Sequence, residues 1–416
     1  MTERIDIDPA IVEQYVMTLA ENGACGETGV WRPVYSEAWF AAQQQIERWM
    51  QEAGMETHWD AVGNVWGRIQ GTDEVDRGVI LTGSHIDSQL PGGRYDGALG
   101  VISGVLAVGE LVRRYGPPAR TIEVVSFCEE ESSRFPTAHH WGSRAVAGAI
   151  SPEDLESVIS YNGEKIGDVM REAGFDLDAV PAIERDDLDI FIELHIEQGP
   201  ILEQDGIPVA VVTGITGIRH YHVELRGRAD HAGARPMDTR RDPMAAAAEI
   251  ISTAIDTAHR MGRPAVTTVG RMSVQPNGAA IVPEQVNFTI DARHPDPETR
   301  ALLYKRHEAT IKAVCERRGI DYSWTLGAEQ PPRVSDSELV ETFVNAANEQ
   351  EILHRTMPSG AVHDANRMAG FTRMVMLFVQ SKDGRSHTPE EFTYAEHAAA
   401  GVQLLAAGLH KLAYSG

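Results

Sequence analysis

The run Val79-Ile80-Leu81-Thr82-Gly83-Ser84-His85-Ile86-Asp87 passes without a break from β-branched and aliphatic side chains to an imidazole and a carboxylate. A short continuous apolar run bounded by polar residues reads as a strand buried on both faces, as in the middle of a parallel sheet. The glycine-rich turn Gly92-Gly93-Arg94-Tyr95-Asp96-Gly97 follows, and Gly97–Arg114 has helical period. Three further runs, Thr121–Phe127, Ile190–His195 and Met374–Val379, repeat the pattern of strand followed by polar residues. Strands alternating with helical segments predict an α/β sheet, and ligands of such sheets bind at the carboxyl ends of the strands. The site is expected along that edge.

Between Gly214 and Ala328 the style changes to strand Tyr221–Arg226, helix Asp242–Met261, strands Val266–Ser273 and Gln285–Asp291, helix Pro297–Arg318 and strand Tyr322–Leu326. This βαββαβ order predicts a separate, smaller α/β sandwich inserted into the first domain. The expected domains are therefore 1–213 with 329–416, and 214–328. A chain of 416 residues has room for two cores.

With 37 basic and 61 acidic residues the net charge is −24, which repels phosphate backbones and anionic lipid. Nucleic acid and membrane surfaces are thereby disfavoured as partners, and a small molecule is expected. At 42% hydrophobic and 24% charged residues, with no low-complexity tract, the chain is expected to fold throughout. Met1 to Val16 is acidic and amphipathic and lacks the basic start and apolar core of a secretory signal. Ala98–Val108, the longest nearly apolar run, falls short of the roughly 20 residues of a membrane span and reads as a buried helix start. Cys25, Cys128 and Cys315 have neither pairing nor ligand spacing, so they are expected as buried apolar residues in a reducing, cytoplasmic setting.

A neutral imidazole and a carboxylate are good ligands for zinc or manganese, which makes His85 and Asp96 candidate ligands; Asp87 is placed to hold the other nitrogen of His85. The alternative for a histidine at a strand end is a hydrogen-bonded structural role. The second strand ends in Cys128-Glu129-Glu130-Glu131. Three adjacent acids can be a solvated turn. Adjacent side chains also point in different directions, so one carboxylate can bind a cation while its neighbour faces the water to be activated. Glu193-Leu194-His195-Ile196-Glu197-Gln198 and Ser381-Lys382-Asp383-Gly384-Arg385-Ser386-His387 supply ligands from two more strand ends.

Five ordered motifs span nearly the whole chain: Gly83-Ser84-His85, Glu130-Glu131-Ser132-Ser133-Arg134-Phe135, Glu193-Leu194-His195-Ile196-Glu197-Gln198-Gly199-Pro200, Asp230-His231-Ala232-Gly233 and Ser386-His387-Thr388-Pro389-Glu390. In these the chain resembles the metal-dependent hydantoinase/carbamoylase amidohydrolases, relatives of the two-metal aminoacylases and carboxypeptidases. The resemblance implies a mixed-sheet, two-metal exopeptidase-like catalytic domain with an inserted lid and dimerisation domain, and hence a homodimer. It implies two divalent ions, zinc or manganese with cobalt or nickel as substitutes. Asp96 would bridge them, with His85 and His195 on one and Glu131 and His387 on the other. Glu130 would be the general base and Glu129 structural. The resemblance also gives His231 to the oxyanion or substrate, in cis or across a dimer, Arg293 to a substrate carboxylate, and Gln198 and Gly360 to substrate contact. His363 and Asp364 fall beside the site with the ligand set already complete. His139, His140 and Trp141 are expected to line the pocket, pack or face solvent.

Three positions depart from the family pattern. Ala280, in Pro276-Asn277-Gly278-Ala279-Ala280-Ile281-Val282-Pro283, stands where the family has a substrate-holding asparagine. Val362 replaces a glycine after Ser359-Gly360-Ala361, and Ser132 replaces the glycine after the paired glutamates. No metal ligand is lost, so catalysis is expected to persist with altered selectivity. The expected reaction is hydrolysis of a linear amide or ureido C–N bond in a small carboxylate-bearing molecule. A dipeptidase or aminoacylase on the same scaffold is one alternative, and a non-catalytic metal-dependent binding protein is another.

Overall fold

Val79–His85 is a strand buried at every position, and the computed structural model, which describes residues 4–75 and 77–414, builds a mixed sheet around it. In chain order its strands are β1 (Glu56–Trp59), β2 (Val65–Ile69), β3 (Val79–His85), β4 (Ile122–Phe127), β5 (Leu188–Ile196), β6 (Val209–Ile215) and β7 (Arg373–Val379). Their spatial order is β1-β2-β4-β3-β5-β7-β6, and Arg333–Val334 and His354–Ser359 pair with β6. The central strands β4, β3, β5 and β7 are parallel, which is why they read as largely apolar runs. The flanking β1, β2 and β6 run antiparallel to their neighbours. In register, His85 lies opposite Phe127 and His195 opposite Phe378, so the polar strand ends share one edge.

The turn after β3 leads into α1 (Ala98–Tyr115), which packs on β3 and β5, and α2 (Ala395–Ala413) packs on α1. Gly100 permits this approach, since a Cβ there would lie 2.3 Å from the Leu194 carbonyl oxygen. α1 buries Leu99, Val101, Ile102, Val105, Val108 and Leu111, and places Arg113 and Arg114 in its last turn, where cations suit the helix dipole. No described helix is long and apolar enough to cross a membrane. Cys128 and Cys315 are buried as expected, whereas Cys25 is only partly so, because it sits on a two-residue strand paired only with Gly29–Val30.

The chain divides into two compact units: residues up to Thr213 with Ser335–Met357 and Val362 onward, and Gly214–Val334 with Pro358–Ala361. The expected boundary at 328 cuts strand Asp321–Gln330, whose Glu329 and Gln330 pair with Arg219 and Ile218 beyond a bulge. Pro358–Ala361 joins the second unit, where Ser359 O accepts from Thr216 N at 3.0 Å. Gly360 therefore lies outside the portion to which 329–416 assigned it.

In the second unit Gln285–His294 and Gly217–Arg226 pair antiparallel at the centre of the sheet. The alternating burial of Gln285–His294 turns Val286, Phe288, Ile290 and Ala292 toward helices Pro243–Met261 and Pro297–Arg318. Each helix starts with proline after an aspartate cap, Asp242 or Asp296, whose side chain accepts from first-turn N–H groups. The single strand expected over Val266–Ser273 is instead two, Val266–Thr268 and Met272–Gln275, both on Gln285–His294. Gly270 interrupts the run, as glycine does where a strand must bend.

Candidate metal centre

The strand ends bring the five expected ligands together. β3 ends on His85, β4 runs through Cys128 into the three glutamates, β5 carries His195 and the segment after β7 reaches His387. Asp96 Oδ1 lies 3.1 Å from His195 Nε2 and 3.6 Å from His85 Nε2. Asp96 Oδ2 lies 3.4 Å from His387 Nε2, which is 3.5 Å from Glu131 Oε2. Three trios among the described residues have ligand atoms within 4.8 Å of one another: Glu193–His195–His363, and the two formed by these contacts, His85–Asp96–His195 and Asp96–Glu131–His387. Asp96 belongs to both of the latter. Gly97 makes room for it: its φ is 62° and a Cβ would meet His85 Nε2 at 2.3 Å.

The donor set suits cations. His85 Nδ1 lies 3.1 Å from the Asp87 carbonyl and His195 Nδ1 2.9 Å from the Ile196 carbonyl, which leaves both Nε2 atoms to face Asp96. A bond at one ring nitrogen orients the other for a metal. Burial disfavours charge on these rings, but the acids outweigh it. Asp96 and Glu193 raise His195 to about 9, Asp96 and Glu131 raise His387 to about 10, and Glu130, Asp87 and Glu131 hold His85 well above the usual range. Burial and then Asp96 push Glu131 up to about 8. Asp96 goes the other way, since His195 and His387 overcome its burial and keep it well below the ordinary carboxylate range. The cluster draws positive charge onto Nε2 and onto Glu131, and a divalent ion supplies that charge without protons.

Neighbouring groups fix this cradle. The Asp87 carboxylate, expected on His85, lies 3.5 Å from that ring's Nδ1 and also accepts from Glu130 N at 3.2 Å and Glu131 N at 3.0 Å. It thus ties the end of β3 to the acidic turn. Asp87→Ala leaves two partly buried N–H groups unpaired and is expected to destabilise the protein by about 2–4 kcal/mol. Chemical denaturation measures this, and an unchanged midpoint would contradict it. Glu391, one residue past the quoted motif, accepts from Tyr95 N at 2.9 Å and Asp96 N at 3.0 Å. Ser386 Oγ lies 2.8 Å from Glu391 Oε2 and 2.6 Å from Asp96 Oδ2 and shares its one proton between them. Glu129 accepts from Phe135 N at 2.7 Å and Arg134 N at 3.2 Å and shapes the following loop. Glu129, Ser132, His140, Gln198 and His387 all adopt φ between 50° and 59°, a conformation that costs non-glycine residues energy and gathers at functional sites.

Gln198 donates from Nε2 to Asp96 Oδ2 at 2.8 Å, so it adjoins the ligands themselves. His231, Arg293 and Gly360 belong to the second unit. His231 is exposed, and its Nδ1 accepts from Gly233 N and Ala234 N, which leaves the proton on Nε2. Arg293 makes two bonds to Asp291 and donates to Gly360 O at 3.0 Å, so those two expected residues meet. His220 Nε2 also reaches Asp291, at 2.9 Å. Ala280 is exposed beside the His231 loop and accepts from Ala232 N. Two residues that the sequence left outside the ligand set lie against the cradle. The ring of His363 sits 4.5 Å from that of His195, and buried His140 lies 3.2 Å from Glu130. The sequence gives no sign of the latter, since nothing in the spacing of His140 marks it as facing Glu130.

Residues 81–411 match the family model described as Peptidase family M20/M25/M40. The chain belongs to peptidase family M20. Allantoate amidohydrolase of Escherichia coli (strain K12) is 38% identical to this M20 chain over 403 residues, covering 97% of the chain and 98% of the relative. N-carbamoyl-L-amino acid amidohydrolase of Geobacillus stearothermophilus is 37% identical over 394 residues, covering 94% and 95%. An amidase of the hydantoinase/carbamoylase family from Burkholderia multivorans superposes with a TM-score of 0.91 at 32% identity, covering 99% of each chain. Within M20 the chain is a metal-dependent amidohydrolase, an enzyme for linear C–N bonds other than peptide bonds.

Proposed function

We propose that the enzyme hydrolyses the ureido or amide bond of a small carboxylate-bearing molecule, with N-carbamoyl-L-amino acids and allantoate as the first candidates. The observation that carries this reading is the division of Asp96, which turns Oδ1 to His85 and His195 and Oδ2 to His387 beside Glu131. His85, Asp96, Glu131, His195 and His387 would hold two divalent ions, zinc or manganese by preference, with cobalt or nickel accepted by the same donors. Such ions supply Lewis acidity to the scissile carbonyl and make water more acidic.

Glu130 is the proposed base. Burial favours its neutral form, but His85 and His140 outweigh that and hold it down at about 2, so it is a carboxylate at neutral pH. Its Oε2, 3.7 Å from His85 Nε2, takes the proton as the oxygen of water bonds to the substrate carbon. The same proton then goes to the leaving nitrogen as the C–N bond breaks. Gln198 Oε1 is buried with no hydrogen-bond partner among the described residues, so it offers an acceptor to a ureido N–H. Arg293, held in plane by Asp291, offers a fork to the substrate carboxylate, and His231 offers its Nε2–H to the developing oxyanion. We also propose a cytoplasmic homodimer built through the second unit, in keeping with the unpaired Cys128 and Cys315.

A substrate panel tests the reaction class. The value of kcat/KM on N-carbamoyl-L-amino acids or allantoate is expected to exceed that on dipeptides and N-acyl amino acids by at least about tenfold, because a site built to pair ureido N–H groups is poorly satisfied by an analogue without them. Faster turnover of dipeptides would reverse the assignment.

A further inference from the structure

We infer that His140 is a positioning residue for Glu130, an inference that rests on the reading of Glu130 as the base. The carboxylate of Glu130 is divided between two rings. Its Oε2 faces His85 Nε2 at 3.7 Å, while Oε1 lies 3.2 Å from His140 Nδ1. His140 is only 5% exposed and its Nδ1 is also 4.0 Å from Oδ1 of the fully buried Asp364. His140 Nδ1 is buried and makes no hydrogen bond among the described residues, so Oε1 of Glu130 is the carboxylate oxygen nearest to receive its N–H; closing that contact restrains rotation of the carboxylate and leaves Oε2 to exchange the proton.

The backbone holds His140 in that place. Trp141 N donates to Glu129 O at 3.1 Å and Gly142 N to Cys128 O at 2.8 Å, so the start of helix Trp141–Val146 is laced to the end of β4. Gly142 is required for the contact, since a Cβ there would meet Asn64 Oδ1 at 2.2 Å and Cys128 N at 2.6 Å. His140 itself has φ 59°. Ser143 Oγ donates to the same Asp364 oxygen that faces His140, which keeps that carboxylate from turning away. The ring is thus fixed from its own backbone and from the far side, as expected of a group whose task is to hold another still.

The test is steady-state kinetics on whichever ureido substrate the panel identifies, using His140→Phe, His140→Ala and His140→Asn. Phenylalanine keeps the ring volume without the nitrogen. Asparagine puts an amide N–H at the same number of bonds from Cβ as Nδ1 and tolerates positive φ. His140→Phe and His140→Ala are expected to lower kcat by about 10- to 100-fold, with KM within about twofold and bound metal unchanged. His140→Asn should return kcat to within about fivefold of the parent. Should phenylalanine prevent folding, the alanine and asparagine pair carries the same comparison. Wild-type kcat in the folded Phe or Ala variant, or an Asn variant as slow as them, overturns the inference. Glu130→Gln, assayed alongside, separates the two readings. If Glu130→Gln is inactive and the Phe or Ala variant is unimpaired, only the role of His140 fails; if Glu130→Gln is active, both fail.

Discussion

Asp96→Ala is expected to abolish stoichiometric binding of both ions and to lower kcat/KM by on the order of 10³-fold or more, beyond the 10- to 100-fold typical of residues that only support a ligand. The size of the effect follows from its position. Asp96 is the one residue common to the two trios of proposed ligands, and each of its oxygens serves a different histidine set. Substituting His387 strips one trio, whereas substituting Asp96 strips both. Its surroundings support this reading, since Glu391 fixes its backbone while Gln198 and Ser386 both donate to Oδ2. Chelation of the parent enzyme should reach the same end state, with activity restored by manganese, zinc, cobalt or nickel. Elemental analysis and kinetics check both halves. An alanine variant that still holds two ions, or full turnover by verified metal-free parent enzyme, would sink the assignment.

The catalytic edge was legible because parallel strands leave a strong trace. β3, β4, β5 and β7 are buried and largely apolar and lead into polar residues, so the strand ends could be read directly, and the expected ligands lie on them or just beyond. The flanking strands β1, β2 and β6 left a weaker trace, since their pairing is set by partners distant in sequence rather than by a pattern of their own. The supporting residues left none. Glu391 acts on amides 295 and 296 residues away, and Asp87 acts on amides 43 and 44 residues away. Such distances carry no periodicity to detect. The atoms that His140 and Gln198 touch were hidden for a further reason. The positive φ of these two residues is an uncommon state for side chains other than glycine, and only the packed structure makes it necessary.

The second unit shows where pattern reading reaches its limit. Alternation in Gln285–His294 marks its core face well, and Asp242-Pro243 and Asp296-Pro297 mark helix starts. The open face of that same strand carries Asp291 and Arg293, whose partnership with His220 and Gly360 O depends on antiparallel register and on the return of Pro358–Ala361 to this unit. Neither is local. Arg293 was found through motif resemblance, while the groups that aim it became visible only in the fold.

Glu130→Gln is expected to lower kcat by about 10³-fold, within the 10²–10⁴ range of general base catalysis, while leaving metal content and KM little changed. Glutamine has the size and shape of the carboxylate, so it can keep the place between His85 Nε2 and His140 Nδ1 and the backbone bond from Glu130 N to Asp87. It loses the capacity to take a proton. Glu130 belongs to none of the trios, so retained metal with lost turnover distinguishes a base from a ligand. Its neighbour gives the contrast. Glu131→Gln removes an oxygen 3.5 Å from His387 Nε2 and should lose metal together with activity. Elemental analysis beside kcat and KM separates the two glutamates. A Glu130→Gln enzyme turning over at the parental rate would remove the base from the mechanism and leave the adjacent carboxylate as a ligand alone.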